Sequence, residues 1–347
     1  MGTAEDDGSI EVEAAGRAVR ISSPGKVFFP ARGETKLDLV RYYLAVETQV
    51  MRQLRDRPVM MQRFPDGAGG KSFFQKRVPD SAPDWLASVD VRTVNGTTSR
   101  ALVIADVAHL AWAVNLGCIG FHAWPVRAPR VDEVDELRID LDPGPGTDWA
   151  MVRDAAFAVR DFFSEHGTAT FVKTSGSRGL HLYVRIEAGH DGFAVRRAAV
   201  AVARSLERRH PDLVTAAWWK EERGARIFID FNQNAPHKTV FAAWSARAFD
   251  TAPVSFPIAW ERLGTIDPRA FTIATVPADV AEHGDAWEAI DAVRHPLAPY
   301  LAMADDDEAA GLPDAPWPPE YPKMAGEATR VAPSRARVTP SEPSPSE

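Results

Sequence analysis

The sequence predicts an α+β fold in which mixed or largely antiparallel sheets are flanked by helices. Segments in which apolar and polar residues alternate, the pattern of strands, are interspersed with segments in which apolar residues recur at helical spacing. The two kinds of segment do not follow the regular βαβ alternation that a doubly wound parallel sheet requires. With 347 residues, of which 45% are hydrophobic, the chain can bury one large core or two modest ones.

The expected elements can be placed in order along the chain. A helix is expected where apolar residues return every three or four positions, and a strand where they alternate with polar ones. The predicted elements are a helix over 37–53, strands over 57–63 and 72–76 joined by a turn over 65–70, and helices over 106–116, 149–166 and 193–210. Thr147 or Asp148 is a candidate N-cap of the helix over 149–166, and Gly167 is a candidate C′ residue.

Composition divides the chain into three parts. Residues 1–20 are predicted to be a flexible acidic leader without a secretory signal, and residues 21–303 to be a folded domain. Residues 304–347 combine an acidic run with a Pro/Ser-rich sequence that cannot bury enough apolar surface to fold alone. We therefore expect a mostly disordered tail, of which Trp317 and Tyr321 are candidates to dock back onto the folded domain.

Charge and cysteine content narrow the class of protein. The net charge of −8 comes from the two acidic ends, so the middle of the chain is close to neutral and a local basic groove for nucleic acid is not excluded. No segment approaches the ~18 consecutive apolar residues of a membrane span, and we expect a cytoplasmic protein. Cys118 is the only cysteine, which excludes an intramolecular disulfide and a multi-cysteine zinc site. We interpret it as a small core residue.

Three carboxylates give the strongest indication of chemistry. Asp140 and Asp142 lie in an alternating segment and therefore share one face of a predicted strand, while Asp230 ends a second such segment. At a rise of ~3.3 Å per residue the first two Cα atoms lie roughly 7 Å apart, so their side chains can converge on one or two divalent ions. Asp230 is a candidate third ligand, and this arrangement serves phosphoryl transfer. The alternative is a solvated strand end before a turn.

A glycine-rich turn at 174–179, between two predicted strands, is a candidate anion site. Its backbone N–H groups can converge on an anion, and Arg178 can hold a phosphate with two hydrogen bonds. The turn does not match a Walker A loop. Taken alone, it is more simply explained as a hairpin turn whose glycines supply positive φ.

Together, three motifs resemble the polymerase domain of bacterial ligase D, which belongs to the archaeo-eukaryotic primase superfamily and serves non-homologous end joining. They are Asp140-Leu-Asp-Pro-Gly-Pro-Gly146, Thr174-Ser-Gly-Ser-Arg-Gly-Leu-His-Leu-Tyr183, and Phe228-Ile-Asp-Phe-Asn-Gln-Asn234 with Lys238-Thr239 and Arg247. The resemblance extends from about residue 22 to about residue 301. It implies an archaeo-eukaryotic primase-type fold for a catalytic domain over 21–303, without ligase or phosphoesterase domains, similar to the stand-alone mycobacterial primase-polymerases.

The resemblance also implies roles for individual residues around the reaction centre. The metal-binding acids would be Asp140, Asp142 and Asp230, which would hold two divalent ions, Mn²⁺ or Mg²⁺. The residues matching those that hold the incoming nucleotide and its triphosphate are His122, Ser175, Arg178, Arg223 and Arg247, with Gln233 and Lys238 in the adjoining segment. Arg178 stands where a lysine is usual in the family, which keeps the charge but changes its geometry.

A second group of residues is implied to contact DNA. Phe73 and Phe74 match an aromatic pair that packs against the templating base, but they point to opposite faces of a predicted strand, so we expect at least one in the core. Ser23, Lys26 and Lys36 match a pocket for the 5′-phosphate beyond a gap, and Ser23 departs from the usual asparagine. The alternative for the two lysines is that they are solvated side chains. For His122, it is an interior histidine with satisfied hydrogen bonds.

The function implied by the resemblance is a template-dependent nucleotidyltransferase that adds ribo- or deoxyribonucleotides to a primer 3′-hydroxyl and fills short gaps in DNA. It would act as a nucleoid-associated monomer, with primed or gapped DNA and NTP or dNTP as substrates and a separate ligase and an end-binding protein as partners. Two alternatives remain open: a metal-dependent nuclease or phosphoesterase, and a non-catalytic DNA-end-binding module. The three arginines and the turn at Ser175 argue against the first, because hydrolysis needs no triphosphate clamp.

Overall fold

The computed structural model describes residues 8–92 and 98–317. The helices in this part of the chain are α1 (Lys36–Ala45), α2 (Glu47–Leu54), α3 (Val107–Asn115), α4 (Trp149–Glu165), α5 (Gly192–Arg209), α6 (Val276–His283) and α7 (Ala298–Ala309). The strands are β1 (Ile10–Ala14), β2 (Arg17–Ile21), β3 (Val27–Phe29), β4 (Glu34–Thr35), β5 (Arg57–Arg63), β6 (Phe73–Gln75), β7 (Ser88–Arg92), β8 (Thr98–Ile104), β9 (Cys118–Ala123), β10 (Val126–Arg127), β11 (Arg130–Val134), β12 (Glu136–Pro143), β13 (Phe171–Thr174), β14 (Leu180–Arg185), β15 (Val214–Thr215), β16 (Ile227–Ile229), β17 (Val240–Phe241) and β18 (Pro257–Ile258). Short 3-10 helices cover Lys220–Glu222, Phe231–Asn234 and Pro268–Ala270.

The first large sheet has the strand order β15-β16-β12-β14-β13-β18 and carries the acidic motifs at its centre. Its pairs are antiparallel except β15 with β16. The alternation along β12 buries Leu137, Ile139 and Leu141, and α4 and α5 pack against this sheet. Side chains of Asp148 and Asp191 accept hydrogen bonds from the first turns of α4 and α5, which is why these two helices begin where they do.

The second large sheet has the order β17-β9-β5-β8-β7, with the short strand β6 also paired to β5, and every pair is antiparallel. Helix α3 packs against β8 and β9, and α1 packs on α3. Two sheets built largely from antiparallel pairs and flanked by helices confirm the predicted α+β class. Cys118 is fully buried in β9, as predicted, and burial raises the pKa of its thiol.

The predicted helices over 106–116, 149–166 and 193–210 are confirmed within one or two residues, but the helix expected over 37–53 is two helices. Val46, at φ −110° and ψ 25°, interrupts it between α1 and α2. Helix α1 begins with a capping box in which Thr35 and Asp38 exchange side-chain to backbone hydrogen bonds. No helix in the described ranges is both long and apolar enough to cross a membrane.

The N-terminal part of the chain differs from the flexible leader expected over 1–20. Strands β1 and β2 pair in an antiparallel hairpin, with Ile10 opposite Ile21, so the folded region begins well before residue 21. Ala14 and Val19 are buried, and the hairpin packs against α3. The few apolar residues of the segment are on one side of the hairpin, which sequence composition alone did not indicate. Residues 1–7 lie outside the described part of the chain.

The C-terminal boundary expected at residue 303 falls inside α7. The acidic run that predicted a tail supplies the end of this helix, where Asp307 is buried and accepts a hydrogen bond from Arg208 on α5 at 3.1 Å. Beyond it, Ala315 is buried and Trp317 lies over the guanidinium group of Arg196. Residues up to 317 therefore belong to the folded body, because arginines of α5 neutralise the acids. Residues 318–347, including Tyr321, lie outside the described residues.

Candidate active site

The three predicted acids meet at one end of β12. Asp140 and Asp142 lie on this strand, and β16 pairs with it antiparallel so that the chain leaving β16 brings Asp230 alongside. The backbone N–H of Asp230 donates to the carbonyl oxygen of Asp140 at 2.9 Å. One carboxylate oxygen of each acid lies within 4.8 Å of the other two. The predicted convergence is thus confirmed, and the strand pairing between β12 and β16 is its cause.

The Asp230 carboxylate is held from both sides by the 3-10 helix that follows it. Its Oδ1 accepts from the backbone N–H of Asn232 at 3.0 Å, and its Oδ2 accepts from Nε2 of Gln233 at 2.8 Å. Asp230 is therefore the N-cap of the helix Phe231–Asn234. Gln233, which was predicted to bind nucleotide, contacts this acid directly.

The acid cluster concentrates negative charge in a partly buried place. Burial raises the pKa of Asp140 well above its ordinary value, and Asp142 and Asp230 raise it further. Burial and then Asp142 raise the pKa of Asp230 to about 6. Burial also raises the pKa of Asp142, although Arg223, Arg178 and Arg247 oppose the shift. Three hard oxygen ligands converging on one point fit a divalent cation of the Mg²⁺ or Mn²⁺ type, whose charge offsets their repulsion.

A cavity of about 630 Å³ opens beside the acids. This volume is large enough for a nucleotide. Asp140 and Asp142 line it together with the predicted residues His122, Ser175, Arg178, Arg223, Gln233 and Arg247. Lys238 is not among the lining residues, but its charge lowers the pKa of Asp230, so it lies close to the acid cluster. The structure therefore brings the predicted nucleotide-binding residues to one place around the acids.

The turn at Ser175 is closely packed against its neighbours. The Ser175 hydroxyl oxygen accepts hydrogen bonds from the backbone N–H groups of Ser177 and Gly179 at 3.2 and 3.1 Å. At Gly179, an added Cβ would lie 2.5 Å from the carbonyl oxygen of Leu141, so a side chain at this position would collide with β12. Glycine at this position lets the turn approach the strand that carries the acids.

Two of the predicted arginines are fixed by backbone carbonyls and aromatic rings. Arg247 donates from Nε to the carbonyl oxygen of Ser175 at 2.9 Å and lies 4.0 Å from the ring centroid of Phe241. Arg223 donates to the carbonyl oxygens of Ala217 and Trp218 and lies over an aromatic ring of β16. Such contacts hold the planar groups in place before a ligand arrives.

His122 lines the cavity, and its Nε2 lies 3.5 Å from Oε1 of Gln62. Burial, followed by the charges of Arg247 and Lys173, lowers its pKa to about 3. Its ring lies 5.1 Å from the ring of Phe241 and 5.3 Å from that of Phe74, with both pairs edge to face. A neutral imidazole at this position can donate one hydrogen bond to a polar ligand without adding charge.

A hydrogen-bonded chain behind Asp140 was not predicted. His181 Nε2 lies 3.3 Å from Oδ1 of Asp140, and its Nδ1 lies 3.0 Å from Nζ of the fully buried Lys173. Lys173 also donates to the Ser255 hydroxyl at 2.6 Å, and that hydroxyl donates to the carbonyl oxygen of Thr174 at 2.8 Å. When the imidazole proton is on Nε2 it faces the Asp140 carboxylate, and Nδ1 then accepts from Nζ of Lys173. Lys173 lies on β13 and His181 opposite it on β14. The alternation of polar and apolar residues along these two strands was the signal that could have revealed them.

Phe73 and Phe74 are both exposed, at 47% and 52%, so the expectation that at least one lies in the core is wrong. The reason is that β6 is a short strand at the margin of its sheet, where it pairs with β5. Arg63 lies 5.0 Å from the Phe73 ring, and Phe74 touches His122 at the cavity. Two exposed aromatic rings beside a charged cavity form a surface suited to stacking with bases.

Ser23, Lys26 and Lys36 are brought together by the turn between β2 and β3 and the start of α1. The N–H of Lys26 donates to the Ser23 carbonyl at 3.0 Å, and that of Lys36 to the Lys26 carbonyl at 2.9 Å. Lys36 is buried and donates from Nζ to the carbonyl oxygens of Ser22 and Asn115 at 2.6 and 3.3 Å, so it is not a solvated side chain. Lys26 is more exposed and pairs with Asp66 at 2.9 Å. Ser23 has φ +46°, a conformation that asparagine adopts more readily than serine.

Two largely antiparallel sheets and three converging acids agree with the primase-type class that the motifs implied. A comparison with family models then shows that the chain belongs to the LigD primase-polymerase domain family, whose model matches residues 35–287. It is 33% identical over 310 residues, 88% of its length, to the multifunctional non-homologous end joining protein LigD of Mycolicibacterium smegmatis. It is 28% identical over 268 residues to the bifunctional LigD of Bacillus subtilis. The chain spans only 40% and 43% of these two relatives.

A comparison of structures agrees with the sequence. The polymerase domain of Mycobacterium tuberculosis ligase D, solved in complex with DNA, superimposes with a TM-score of 0.74 and 32% identity, covering 80% of this chain and 99% of that one. This match confirms the archaeo-eukaryotic primase-type fold that the motifs implied.

Proposed function

We propose that this protein is a DNA repair polymerase that transfers nucleotides from NTP or dNTP to a primer 3′-hydroxyl opposite a template. One observation carries the proposal: three carboxylates converge beside a cavity that is also lined by Arg178, Arg223 and Arg247. Family membership supports the same reaction. It favours a polymerase over the nuclease and the non-catalytic binding module, because the acids and the anion-binding side chains are present together.

The chain's own residues would divide the work as follows. Asp140, Asp142 and Asp230 would hold two divalent ions, Mg²⁺ or Mn²⁺, which when bound would lower the pKa of the attacking hydroxyl and neutralise the phosphates. Arg223 and Arg247 would bind the triphosphate and balance the charge that develops on the leaving pyrophosphate. Their guanidinium groups are already oriented by carbonyl oxygens and aromatic rings, so little reorganisation is needed when the nucleotide enters.

The turn and the histidine would orient the nucleotide. Ser177 and Gly179 already donate their backbone N–H groups to the Ser175 hydroxyl, which directs the Ser175 proton outward toward an acceptor oxygen. Arg178, exposed at the tip of the turn, would reach the outer phosphates. His122, neutral and wedged between two aromatic rings, would donate to the sugar or the base. The wall at His122 is continuous with Phe74, where the template would stack.

The proposal is tested by incubating the protein with a primed, gapped duplex, all four NTPs and Mn²⁺. We expect the primer to lengthen by template-directed residues. Shortening of the primer would support the nuclease instead, and binding without any change in primer length would support the non-catalytic module. Parallel reactions with dNTPs measure the preference for ribose.

The DNA side of the proposal concerns the 5′-phosphate beyond a gap. A terminal phosphate carries more negative charge than a backbone diester, so two neighbouring lysines can distinguish it. Lys26 and Lys36 are such neighbours: burial lowers the pKa of Lys36, and the charge of Lys26 lowers it further. Replacing both lysines with alanine should abolish the preference for phosphorylated gaps while sparing extension on an open primer-template. Arg41→Ala removes one positive charge from the same helix and serves as the control.

Because Lys36 also bonds two carbonyl oxygens, the melting temperature of each lysine variant must be measured alongside. Equal filling of phosphorylated and hydroxyl-ended gaps by the unmodified protein would show that this pocket does not bind phosphate. A separate ligase would seal the filled gap, and an end-binding protein would deliver the DNA, if the protein works in end joining.

A further inference from the structure

A segment beyond the residues that the family model matches contacts the 3-10 helix that follows Asp230. Residues 311–317, which we call the strap, follow α7 and return along α5. Arg204 of α5 donates to the carbonyl oxygen of Pro313 at 2.5 Å, and Ala315 is buried. The strap lacks helix and strand, so side chains of α5 hold it in place.

The principal anchor of the strap is Arg196, which is only 1% exposed. Its NH1 donates to both carboxylate oxygens of Asp314, at 3.0 and 3.2 Å, and its NH2 donates to the Ala315 carbonyl at 2.6 Å. The Trp317 ring covers the guanidinium group, 3.9 Å from its centre. A buried cation that is paired, hydrogen-bonded and stacked in this way occupies a single position.

Arg196 transmits this position to Asn232. Its Nε donates to Oδ1 of Asn232 at 2.8 Å, while Nδ2 of Asn232 donates to the carbonyl oxygen of Pro316 at 3.0 Å. The amide of Asn232 is therefore held at its oxygen by α5 and at its nitrogen by the strap. Asn232 is 2% exposed, so water cannot easily replace these two partners.

Asn232 in turn holds the third acid. Its backbone N–H donates to Oδ1 of Asp230, and the 3-10 helix to which it belongs also carries Gln233, the donor to Oδ2. A four-residue 3-10 helix is too short to be rigid by itself, because its own hydrogen bonds are few and poorly aligned. Its position must come from tertiary contacts, and the strap contributes to these through Arg196 and Asn232.

We propose that the strap is a positioning element of the active site: Asp314 and Trp317 fix Arg196, Arg196 and the strap fix Asn232, and Asn232 fixes the carboxylate of Asp230. The inference rests on the proposed role of Asp230 as a metal ligand. If the strap only packed on α5, its removal would not affect metal binding. The inference predicts that loosening the strap weakens metal binding.

The test compares full-length variants that loosen the strap at different points. Asp314→Asn keeps the shape but removes the charge that pairs with Arg196, and Trp317→Leu removes the stacking ring. Glu308→Gln is the matched control, because Glu308 pairs with Arg197, the neighbour of Arg196 in α5, at 2.8 Å but the contact does not lead to Asn232. Mn²⁺ binding is measured by electron paramagnetic resonance without nucleotide or DNA, at a temperature well below the melting transition of every variant.

We expect the Asp314→Asn, Trp317→Leu double variant to bind Mn²⁺ about tenfold more weakly than the unmodified protein, as outer-shell changes at metal sites do. Glu308→Gln should bind Mn²⁺ normally. In steady-state kinetics the double variant should recover activity when Mn²⁺ is raised, without a change in KM for nucleotide. A purely structural strap would lower the melting temperature and leave the Mn²⁺ dissociation constant unchanged, and that result would overturn the inference.

The same measurements separate this inference from the proposed function. Asp230→Asn should lose Mn²⁺ binding and nucleotide addition together. If Asp230→Asn remains fully active, the proposed site is wrong and the strap has no ligand to position. If Asp230→Asn is inactive while the strap variants bind Mn²⁺ as the control does, the proposed site survives and only the strap inference fails.

Discussion

Two buried acids on the same strand, Glu136 and Asp140 of β12, differ in how their charge is balanced. Around Glu136, at the start of the strand, the guanidinium groups of Arg57, Arg138 and Arg185 converge. Burial alone would raise the pKa of Glu136, but these three cations outweigh it and hold the pKa at about 2. Four residues further on, Asp140 joins two other acids and its pKa is raised.

The difference teaches which buried acids serve the fold and which serve a ligand. A carboxylate surrounded by arginines is neutralised within the protein and stabilises the meeting of β5, β12 and β14. A cluster of acids whose mutual repulsion the protein does not cancel costs stability, and such sites mark function. The sequence shows Glu136 and Asp140 as equivalent acids on one polar face, so tertiary contacts make the distinction.

The largest effect is expected from substituting an acid of the Asp140 cluster, and it is an effect on catalysis. Asp140→Asn should lower nucleotide addition at least about thousandfold, because losing a metal ligand removes several kcal/mol of charge stabilisation. Unfolding in the absence of metal should occur at the same or a higher temperature, because one of three repelling charges is gone. Primer extension and differential scanning calorimetry check the two halves. A variant with near-normal extension would remove Asp140 from the site.

At the other cluster the same chemical change should act on stability. Glu136→Gln leaves Arg57, Arg138 and Arg185 buried without their shared carboxylate, which should cost about 3–5 kcal/mol of unfolding free energy. Urea denaturation measures the loss. Whatever protein remains folded should retain metal affinity, and equal stability of this variant and the unmodified protein would contradict the assignment.

Lys173 is the buried lysine on the catalytic side, and we expect it to act through its hydrogen bond to His181. Lys173→Met keeps the volume but removes both donated hydrogen bonds, so the imidazole is no longer held with its proton on Nε2. Nucleotide addition should fall about tenfold, as for other outer-shell changes, with little loss of stability. Nitrogen NMR of labelled histidine reads the tautomer directly.

The control for this variant is Trp287→Phe, which removes a buried hydrogen bond to Val172 on the same strand without touching Lys173 or His181. It should leave the His181 tautomer unchanged. If Lys173→Met also leaves the tautomer unchanged, the histidine is oriented by other contacts and the proposed chain does not operate.

The smallest effect concerns the rim of the arginine cluster. Asp291 accepts from Nε of Arg185 at 2.9 Å, but its side chain is 36% exposed. Asp291→Asn should therefore cost less than about 1 kcal/mol, because solvent screens the pair and the amide oxygen still accepts a hydrogen bond. A loss as large as that of Glu136→Gln would show that the cluster acts as one unit rather than as a core with a weak rim.

Local sequence was sufficient for much of the site. Side-chain alternation set Asp140 and Asp142 on one face, and the motifs around Ser175 and Asp230 carried the family resemblance. The long amphipathic helices α4 and α5 were predicted almost to the residue, because their caps and their apolar spacing are local features.

Other features depended on partners distant in sequence. The exposure of Phe73 and Phe74 depends on where β6 lies in its sheet. No residue near them in sequence indicates that this strand lies at the margin. The acidic end of α7 suggested a disordered tail until arginines of α5, about a hundred residues away, were found beside it. Sequence by itself determined the fold class, the three acids Asp140, Asp142 and Asp230, and the family. Tertiary structure decided which charges are neutralised, because neutralisation depends on distances between residues that the chain brings together only when it folds.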